Sequence, residues 1–483
     1  MTLDTARILV VGAGLMGAGI AQVAAQAGHD VLLFDTRAGA AAAAKAKLAQ
    51  TLDGLAAKGK LTADAAQATL ARITPVDALV PVDLVIEAIV ENLDIKRALF
   101  AELEALLAPD AVIATNTSSI SVTALARDMK KPERLVGMHF FNPVPLMKLV
   151  EVVSGLGTSP EVAQAVFDLA GRWGKTAVYT RSTPGFIVNR IARPYYAEAL
   201  MLLQERAATP EVIDACLRAA GFRMGPCELM DLIGHDTNFA VTNSVFAANF
   251  FDRRFTPSLV QQELVDAGFL GRKSGRGFYR YPQGAPALQT YTYPPPNARR
   301  LVVHGQGFIA ERFAAAFPQA ERQEDSDWVG LAADRAQIRV TDGRTAQQVA
   351  AERDLHAPVV VFDLPLGAGG DLAYAKSGNF DDHVGWLVAL GFKPREMVDV
   401  PGLIVARTIA MLVNEAHDAV QQGVCSEEGA DAAMKLGVNY PAGPFDWLGQ
   451  WGAAPIVALL DRLDTYHRGE RYRVSPYLRR SLT

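Results

Sequence analysis

The sequence predicts an α/β domain followed by an all-α domain, with a degenerate second copy of this arrangement at the C-terminal end. Three observations indicate this fold class. A short apolar segment near the N-terminus runs directly into a glycine-rich turn, the chain becomes helical after residue 151, and a seven-residue motif of the helical part recurs near residue 400. A chain of 483 residues is long enough for three or four such domains.

The composition excludes several classes of function. Half of the residues are hydrophobic and 20% are charged, which is typical of a globular protein. The net charge of -5 argues against a nucleic-acid-binding surface, and no apolar run is long enough to span a bilayer. Asp4 and Arg7 lead directly into the first strand, which argues against a signal peptide.

The three cysteines, Cys216, Cys227 and Cys425, show no paired metal-ligand spacing. An odd number also leaves one cysteine out of any disulfide scheme. We therefore expect no metal site and a reducing compartment, the cytoplasm.

The residues from Gly12 to Gly17 form the turn that a dinucleotide pyrophosphate requires between a strand over 7–11 and a helix over 18–27. Gly12 permits the turn, Gly14 lets the backbone approach the phosphates, and Gly17 lets the helix pack on the strand. This pattern is typical of a Rossmann-type domain. The predicted cofactor-binding residues of the turn are Gly12, Gly14, Leu15, Met16 and Gly17.

A second predicted strand, Val31 to Phe34, ends in Asp35, about twenty residues after the glycine turn. An acid at this place binds the ribose 2′-hydroxyl, and it would repel the 2′-phosphate of NADP. The sequence therefore predicts NAD as the cofactor. The alternative, a purely structural glycine turn, leaves Asp35 unexplained.

Polar side chains follow three further predicted strands. Glu91 follows the strand over 82–90, Asn116 and Ser118 follow the strand over 111–114, and His139 closes the strand that begins at residue 135. Ligands of open α/β sheets bind beyond the carboxyl ends of the strands, so we expect these side chains to converge. Without that shared position, Ser118 would be interpreted as a helix cap.

His139 and Glu151 are the candidates for proton transfer. Glu151 lies inside a predicted strand, on the same face as Leu149 and Val153. A carboxylate among apolar neighbours needs a partner, and His139 is the nearest. A histidine held by a carboxylate is a general base. The residues alone leave a second interpretation open, a core histidine beside an edge-strand glutamate.

The helical part is duplicated. Thr183 is expected to cap a helix that runs through Leu203 with a kink at Pro194. Its opening motif, 184–190, recurs as 401–407, with alanine in place of Asn189. The predicted domains are 1–183 (NAD-binding), 184–282 (helical), 298–398 (degenerate nucleotide-fold-like insert) and 399–483 (second helical copy). The second half is predicted to be structural.

Lysines are concentrated between residues 45 and 60, at Lys45, Lys47, Lys58 and Lys60, with few acids among them. In an acidic protein such a cluster fits either an anionic ligand or a solvated helix face.

These motifs resemble the L-3-hydroxyacyl-CoA dehydrogenase family from Arg7 to Tyr281. The added, duplicated C-terminal part is similar to members that act on 3-hydroxybutyryl-CoA or 3-hydroxyadipyl-CoA in β-oxidation-like and phenylacetate-degrading pathways. The motifs that carry the resemblance lie at 12–17, 87–92, 116–119, 139–143, 147–152, 184–190 and 275–279.

The resemblance implies NAD-dependent oxidation of an L-3-hydroxyacyl-CoA to a 3-oxoacyl-CoA. His139 would take the hydroxyl proton, Glu151 would orient His139, and Ser118 and Asn189 would hold the substrate oxygens; these four form the implied catalytic set. The resemblance also implies that Lys45 and Lys47 meet the CoA nucleotide. It implies further cofactor contacts from Asp35, Glu91, Lys96, Asn116, Ser118 and Asn142.

Two other functions stay open at this point: a sugar-acid dehydrogenase of the same fold that acts on L-gulonate, and a catalytically silent NAD-binding scaffold. The acyl-chain length is also open, because Arg193, Arg223 and Arg276 each fit either a carboxylate clamp or an ordinary surface charge. The oligomeric state is open as well: a homodimer is one alternative, and the resemblance implies another, a single chain whose duplicate acts as the partner-like domain.

Overall fold

The computed structural model describes residues 2–352, 357–378 and 383–482. The chain divides into two compact units. The first unit comprises Met1–Arg190 and Ala419–Val438, and the second comprises Ile191–Asp418 and Asn439–Thr483. In the described ranges, no helix is both long enough and apolar enough to cross a membrane.

The first unit is built on an eight-stranded sheet. Its strands are β1 (Ile8–Val11), β2 (Val31–Phe34), β3 (Ile73–Val76), β4 (Leu84–Glu87), β5 (Val112–Thr115), β6 (Leu135–Phe140), β7 (Leu149–Ser154) and β8 (Thr176–Arg181). Its helices before residue 192 are α1 (Leu15–Gln26), α2 (Ala40–Ala57), α3 (Ala63–Ala71), α4 (Leu93–Leu106), α5 (Val122–Ala126), α6 (Pro160–Arg172) and α7 (Val188–Ile191).

The strand order is β3-β2-β1-β4-β5-β6-β7-β8, and only the β6–β7 pair is antiparallel. Alternate residues of the central strands enter different clusters, with Val10 on one face and Leu9 on the other. Burial on both faces explains why these strands are continuous apolar runs rather than alternating ones. The predicted Rossmann-type domain is confirmed, with β1, β4, β5 and β6 ending at one edge of the sheet.

The second unit contains a seven-stranded mixed sheet in the order β10-β9-β11-β12-β13-β14-β15. The strands are β9 (Leu301–His304), β10 (Glu321–Gln323), β11 (Gly330–Ala333), β12 (Ala336–Val340), β13 (Val359–Phe362), β14 (Gly370–Ser377) and β15 (Phe392–Glu396). A parallel β9–β10 pair flanks a second glycine-containing turn, at Gly305 and Gly307, whereas β11 runs antiparallel to β9. The degenerate second copy is confirmed.

The remaining α-helices of the described residues follow Ala192. They are α8 (Arg193–Gln204), α9 (Pro210–Ala219), α10 (Pro226–Ile233), α11 (His235–Ala248), α12 (Leu259–Asp266), α13 (Phe308–Ala316), α14 (Ala346–Glu352), α15 (Gly385–Ala389), α16 (Val405–Gln421), α17 (Glu427–Gly437), α18 (Pro444–Trp451), α19 (Ala453–His467) and α20 (Pro476–Arg480). Helix α17 comes from the second copy but belongs to the first unit. A Cβ placed on Gly437 would lie 2.6 Å from the Leu149 side chain and 3.0 Å from that of Val188, so this helix packs closely on β7 and α7.

The expected long helix from the 184–190 motif to Leu203 is wrong. Residues 184–187 form a turn with Phe186 at a φ of 48°, and two helices follow, α7 and then α8. Thr183 does not cap α7, because its hydroxyl is buried without a hydrogen-bond partner among the described residues. Pro194 lies in the first turn of α8, where its missing N–H costs nothing, so it marks the start of a helix rather than a kink.

Candidate active site

The glycine turn between β1 and α1 leaves room above the backbone. Gly12 has a φ of 106°, and a Cβ on it would lie 2.5 Å from the Ala88 carbonyl oxygen. A Cβ on Gly17 would lie 1.7 Å from the Gly12 oxygen, so helix and strand meet there. Around Gly14 a Cβ would meet nothing within 4 Å, and Leu15 beside it is exposed. The first N–H groups of α1 have no side-chain cap, so the turn fits a pyrophosphate.

Asp35 lies against the same turn. Its Oδ2 accepts the N–H of Ala13 at 2.9 Å, and its Oδ1 accepts a hydrogen bond from Arg37 Nε at 3.0 Å. The Arg37 hydrogen bonds outweigh partial burial and lower the pKa of Asp35 to about 2. Asp35 is therefore an anionic hydrogen-bond acceptor beside the turn, which fits a ribose hydroxyl donor. Arg37 was not foreseen from the sequence.

Glu91 organises the loop that follows β5. One carboxylate oxygen accepts hydrogen bonds from the Thr117 hydroxyl at 2.6 Å, the Ser118 N–H at 2.9 Å and the Ser119 N–H at 3.1 Å. Burial opposes ionisation, but the Thr117 bond and the charge of Lys96 outweigh it and lower the pKa of Glu91. A charged Glu91 therefore fixes the backbone at Ser118.

Lys96 is placed differently from expectation. It is 1% exposed, and its Nζ lies 2.5 Å from Glu87 Oε1 and 3.3 Å from Glu91 Oε2. The two carboxylates enclose the ammonium group, and the contact of Lys96 with the cofactor stays a prediction. The role of Glu87 was not predicted from the sequence. The signal for it was a charged residue at the end of an apolar strand.

Asn116 and Asn142 lie on either side of the histidine. The Oδ1 of Asn116 accepts the N–H of Phe140 at 2.9 Å, which ties the end of β5 to the end of β6. Asn142 is exposed, three residues beyond His139. Both follow strands at the edge of the sheet where the cofactor is predicted to bind.

His139 and Glu151 form a buried pair. They face each other across the antiparallel β6–β7 register, and His139 Nδ1 lies 2.6 Å from Glu151 Oε2. His139 is 6% exposed and Glu151 is fully buried. The rings of Phe141 and Phe186 flank the imidazole at 4.5 and 5.8 Å. The carboxylate fixes Nδ1 as the donor, which leaves Nε2 as the proton acceptor.

Asn189 meets the loop that carries Ser118. Its Nδ2 lies 3.5 Å from the Ser118 carbonyl oxygen. Ser118, His139, Glu151 and Asn189 thus all lie in the first unit. The arrangement offers a histidine base, a carboxylate that orients it, and hydroxyl and amide groups on neighbouring elements.

Lys45 and Lys47 are not part of this cluster of contacts. Both lie on α2, Lys45 half-buried and Lys47 exposed. Within the described ranges no ion pair holds either ammonium group, so both are available to an anion. Over the same ranges no group of three or more metal-ligating side chains is found.

Comparison with known protein families gives matches to three related domain models. Residues 7–183 match the model of the 3-hydroxyacyl-CoA dehydrogenase NAD binding domain, and 185–281 and 402–482 match that of the C-terminal domain of the same family. Residues 338–401 match a 3-hydroxybutyryl-CoA dehydrogenase reduced Rossmann-fold domain.

Individual relatives show the same pattern. The 3-hydroxyadipyl-CoA dehydrogenase of Escherichia coli K12 is 47% identical, over 99% of this chain and 98% of its own length. A probable 3-hydroxybutyryl-CoA dehydrogenase of Deinococcus radiodurans is 45% identical over 56% of this chain and 99% of its own. The crystal structure of 3-hydroxybutyryl-CoA dehydrogenase from Escherichia coli K12 superposes with a TM-score of 0.91, at 45% identity, and covers 99% of this chain and 98% of that one.

Proposed function

The chain belongs to the 3-hydroxyacyl-CoA dehydrogenase family, and from this premise we propose that His139 and Glu151 carry its proton transfer and that NAD is its cofactor. The protein is an oxidoreductase that converts an L-3-hydroxyacyl-CoA to the 3-oxoacyl-CoA. The observation that carries the proposal is the buried 2.6 Å contact between His139 Nδ1 and Glu151 Oε2.

The residues of the glycine turn would hold the cofactor. The uncapped N–H groups at the start of α1 face the space above Gly14 and would donate to the pyrophosphate. Asp35, kept anionic by Arg37, would accept from the adenosine ribose and disfavour a 2′-phosphate. When bound, NAD supplies the acceptor for the hydride that leaves C3 of the substrate.

His139 acts as the base. Its Nδ1–H is donated to Glu151, so the lone pair on Nε2 accepts the proton of the 3-hydroxyl while the hydride leaves C3. The alcohol thereby loses one proton and one hydride and becomes a carbonyl. Glu151 stabilises the resulting imidazolium, and the reverse reaction returns the proton.

Ser118 and Asn189 position the substrate. The backbone of Ser118 is fixed by Glu91, and the Asn189 amide lies 3.5 Å from the Ser118 carbonyl oxygen. The Ser118 hydroxyl and the Asn189 amide would bind the oxygens of one substrate and hold C3 in place, which replaces a bimolecular encounter by fixed geometry. Asn142 extends this edge toward the cofactor, and Lys45 and Lys47 would meet the phosphates of CoA.

The acyl group is proposed to be 3-hydroxyadipyl or 3-hydroxybutyryl, the two substrates that the relatives' names give. Of the three candidate carboxylate clamps, Arg193 is buried and donates to the Thr242 hydroxyl at 3.2 Å, Arg223 is exposed, and the Arg276 guanidinium lies 3.8 Å from the Phe269 ring centroid. The ratio of kcat/KM for 3-hydroxyadipyl-CoA to kcat/KM for 3-hydroxybutyryl-CoA decides between the two acyl groups.

The protein is also proposed to work in the cytoplasm as a single chain. Its three thiols are free, and Cys216 and Cys227 are buried. The first unit already includes residues 419–438 of the second copy, which favours the single chain over a homodimer.

The test uses purified full-length protein, NAD and each thioester, with NADH formation followed by absorbance. We expect His139→Ala to lower kcat by at least about 100-fold with NAD binding unchanged. His29→Ala is the matched control, since His29 lies in the same unit with the same 6% exposure but bonds the Ala6 carbonyl oxygen. Turnover of L-gulonate but not of the thioesters would favour the sugar-acid reaction, and NAD binding without any turnover would favour a scaffold.

A further inference from the structure

The Glu151 carboxylate holds two elements at once. Its Oε2 contacts His139 Nδ1 at 2.6 Å, and its Oε1 accepts the N–H groups of Ile187 and Val188, each at 3.0 Å. Glu151 is fully buried, so these contacts are the interactions that compensate its loss of solvation. The second contact is not needed to orient a histidine.

The turn that Glu151 holds has an unfavourable backbone. Gly185 has a φ of 79° and Phe186 a φ of 48°, a region that a bulky residue rarely adopts. The Arg190 N–H donates to the Gly185 carbonyl oxygen at 3.2 Å and closes the turn. The first N–H groups of the short helix α7 would otherwise lack acceptors, and Glu151 supplies one.

The second copy contains the same turn without the histidine. Gly402 and Leu403 have φ values of 74° and 52°, and the Arg407 N–H donates to the Gly402 carbonyl oxygen at 3.1 Å. A buried carboxylate again accepts the helix N–H groups: Asp363 bonds Ile404 at 2.9 Å, Val405 at 2.6 Å and Ala406 at 2.8 Å. The same turn is thus anchored by a carboxylate that has no histidine partner among the described residues.

The second anchor comes from a different strand. Asp363 directly follows β13, which is parallel to β12 and antiparallel to β14, as β6 is parallel to β5 and antiparallel to β7. By topology β13 corresponds to β6, the strand of His139. Asp363 therefore follows the counterpart of β6, whereas Glu151 lies on β7. Carboxylates from two different strands thus accept the N–H groups of the same kind of turn. This contact therefore serves the turn itself and does not depend on catalysis.

We propose that Glu151 is a positioning residue for two groups: one oxygen orients His139, and the other anchors the turn that carries Asn189. Asn189 directly follows Val188, so its amide is placed by the anchored backbone. The base and the substrate amide are thereby set by one carboxylate. The roles given to His139 and Asn189 rest on the proposed function, whereas the anchor itself does not.

Three variants separate the two contacts. Glu151→Gln keeps one carbonyl oxygen for Ile187 and Val188, while its NH2 group faces His139 Nδ1 and forces the ring proton onto Nε2. His139→Ala removes the base and leaves the carboxylate in place. Glu151→Ala removes both contacts.

The readouts are hydrogen exchange, followed by mass spectrometry of peptides over 184–190, and steady-state kinetics with a 3-hydroxyacyl-CoA. We expect all three variants to lose at least about 100-fold in kcat. Exchange over 184–190 should be unchanged in Glu151→Gln and His139→Ala and at least about tenfold faster in Glu151→Ala. KM for the thioester should rise only in Glu151→Ala, because only there does Asn189 move.

Equal exchange in Glu151→Ala and Glu151→Gln would overturn the anchor, as would an equal increase in His139→Ala. If Glu151→Ala does not fold, Asp363→Ala repeats the test away from the base. Exchange over 402–408 should then rise while kcat and KM stay unchanged, and unchanged exchange there contradicts the proposal. Full turnover in His139→Ala and Glu151→Gln would instead refute the proposed dyad and leave the exchange result standing.

Discussion

Lys96 is a buried lysine that contacts two carboxylates rather than solvent. It is enclosed by Glu87 and Glu91, with Nζ distances of 2.5 and 3.3 Å. A buried ammonium between two carboxylates is stable only with close pairing, which this geometry supplies. The second carboxylate then fixes the loop at Ser118. Lys96 therefore holds Glu91 and, through Glu91, the backbone at Ser118.

Gly14 is the residue where a cofactor contact can be separated from folding. An added Cβ would meet no protein atom within 4 Å, and the φ of −71° is ordinary for alanine. We expect Gly14→Ala to unfold at the wild-type temperature but to bind NAD at least about tenfold more weakly, since the methyl group occupies the space above the turn. Calorimetric titration with NAD and thermal unfolding provide the two measurements.

Gly54→Ala is the control for Gly14→Ala, because its Cβ also meets nothing within 4 Å and it lies within helix α2. It should bind NAD as the wild type does. Unaltered NAD affinity in Gly14→Ala would contradict the assignment of this turn to the pyrophosphate.

At the scale of elements, local patterns predicted strands more reliably than helix starts. The strands β1, β2 and β5 lie within a residue or two of expectation, because buried parallel strands are continuous apolar runs. The start of α7 was predicted wrongly. Thr183 and Pro184 carry a good local capping signal, but the acceptor that prevails is Glu151, which is distant in sequence.

The candidate site shows the same limit. Asp35, His139 and Glu151 could be proposed from strand ends and spacing, since a parallel sheet brings its carboxyl ends together. The second contact of Glu151 and the burial of Lys96 could not be predicted from the sequence. Both depend on the direction in which the side chains point once the sheet has formed.

Asp214 joins three elements of the second unit and predicts a pH dependence. It accepts the N–H groups of Cys227 and Glu228 at the start of α10, and the Tyr279 hydroxyl at 2.7 Å. Burial raises its pKa to about 6. Because the folded-state pKa lies above the unfolded value, the stability that the protonated carboxyl contributes is fully present below about pH 4 and is lost as the pH rises through 6.

Asp214→Asn cannot titrate at this position and isolates the effect. We expect the unfolding free energy of the wild type, relative to this variant, to fall by about 2 kcal/mol between pH 4 and pH 7. Denaturant unfolding at a series of pH values measures it. A pH-independent difference between the two proteins would show that Asp214 titrates at an ordinary pKa when folded.

At the scale of the whole molecule, the second copy supplies a helix to the first unit. Helix α17 packs on β7 and α7, where an added Cβ on Gly437 would lie 2.6 Å from Leu149 and 3.0 Å from Val188. These two residues lie on the elements that carry Glu151 and Asn189. If the first unit depends on this helix, that dependence explains why the duplicate is retained.

Gly437→Leu tests that dependence in the full chain. The larger side chain overpacks a buried contact, and we expect a loss of about 1–3 kcal/mol in stability together with a several-fold lower kcat/KM for the thioester. Gly449→Leu is the matched control, because Gly449 is an exposed helical glycine of the same copy whose Cβ would meet nothing within 4 Å. Thermal unfolding and steady-state kinetics measure both effects. If the two variants behave alike, the first unit does not depend on α17, and the duplicate has another reason to be kept.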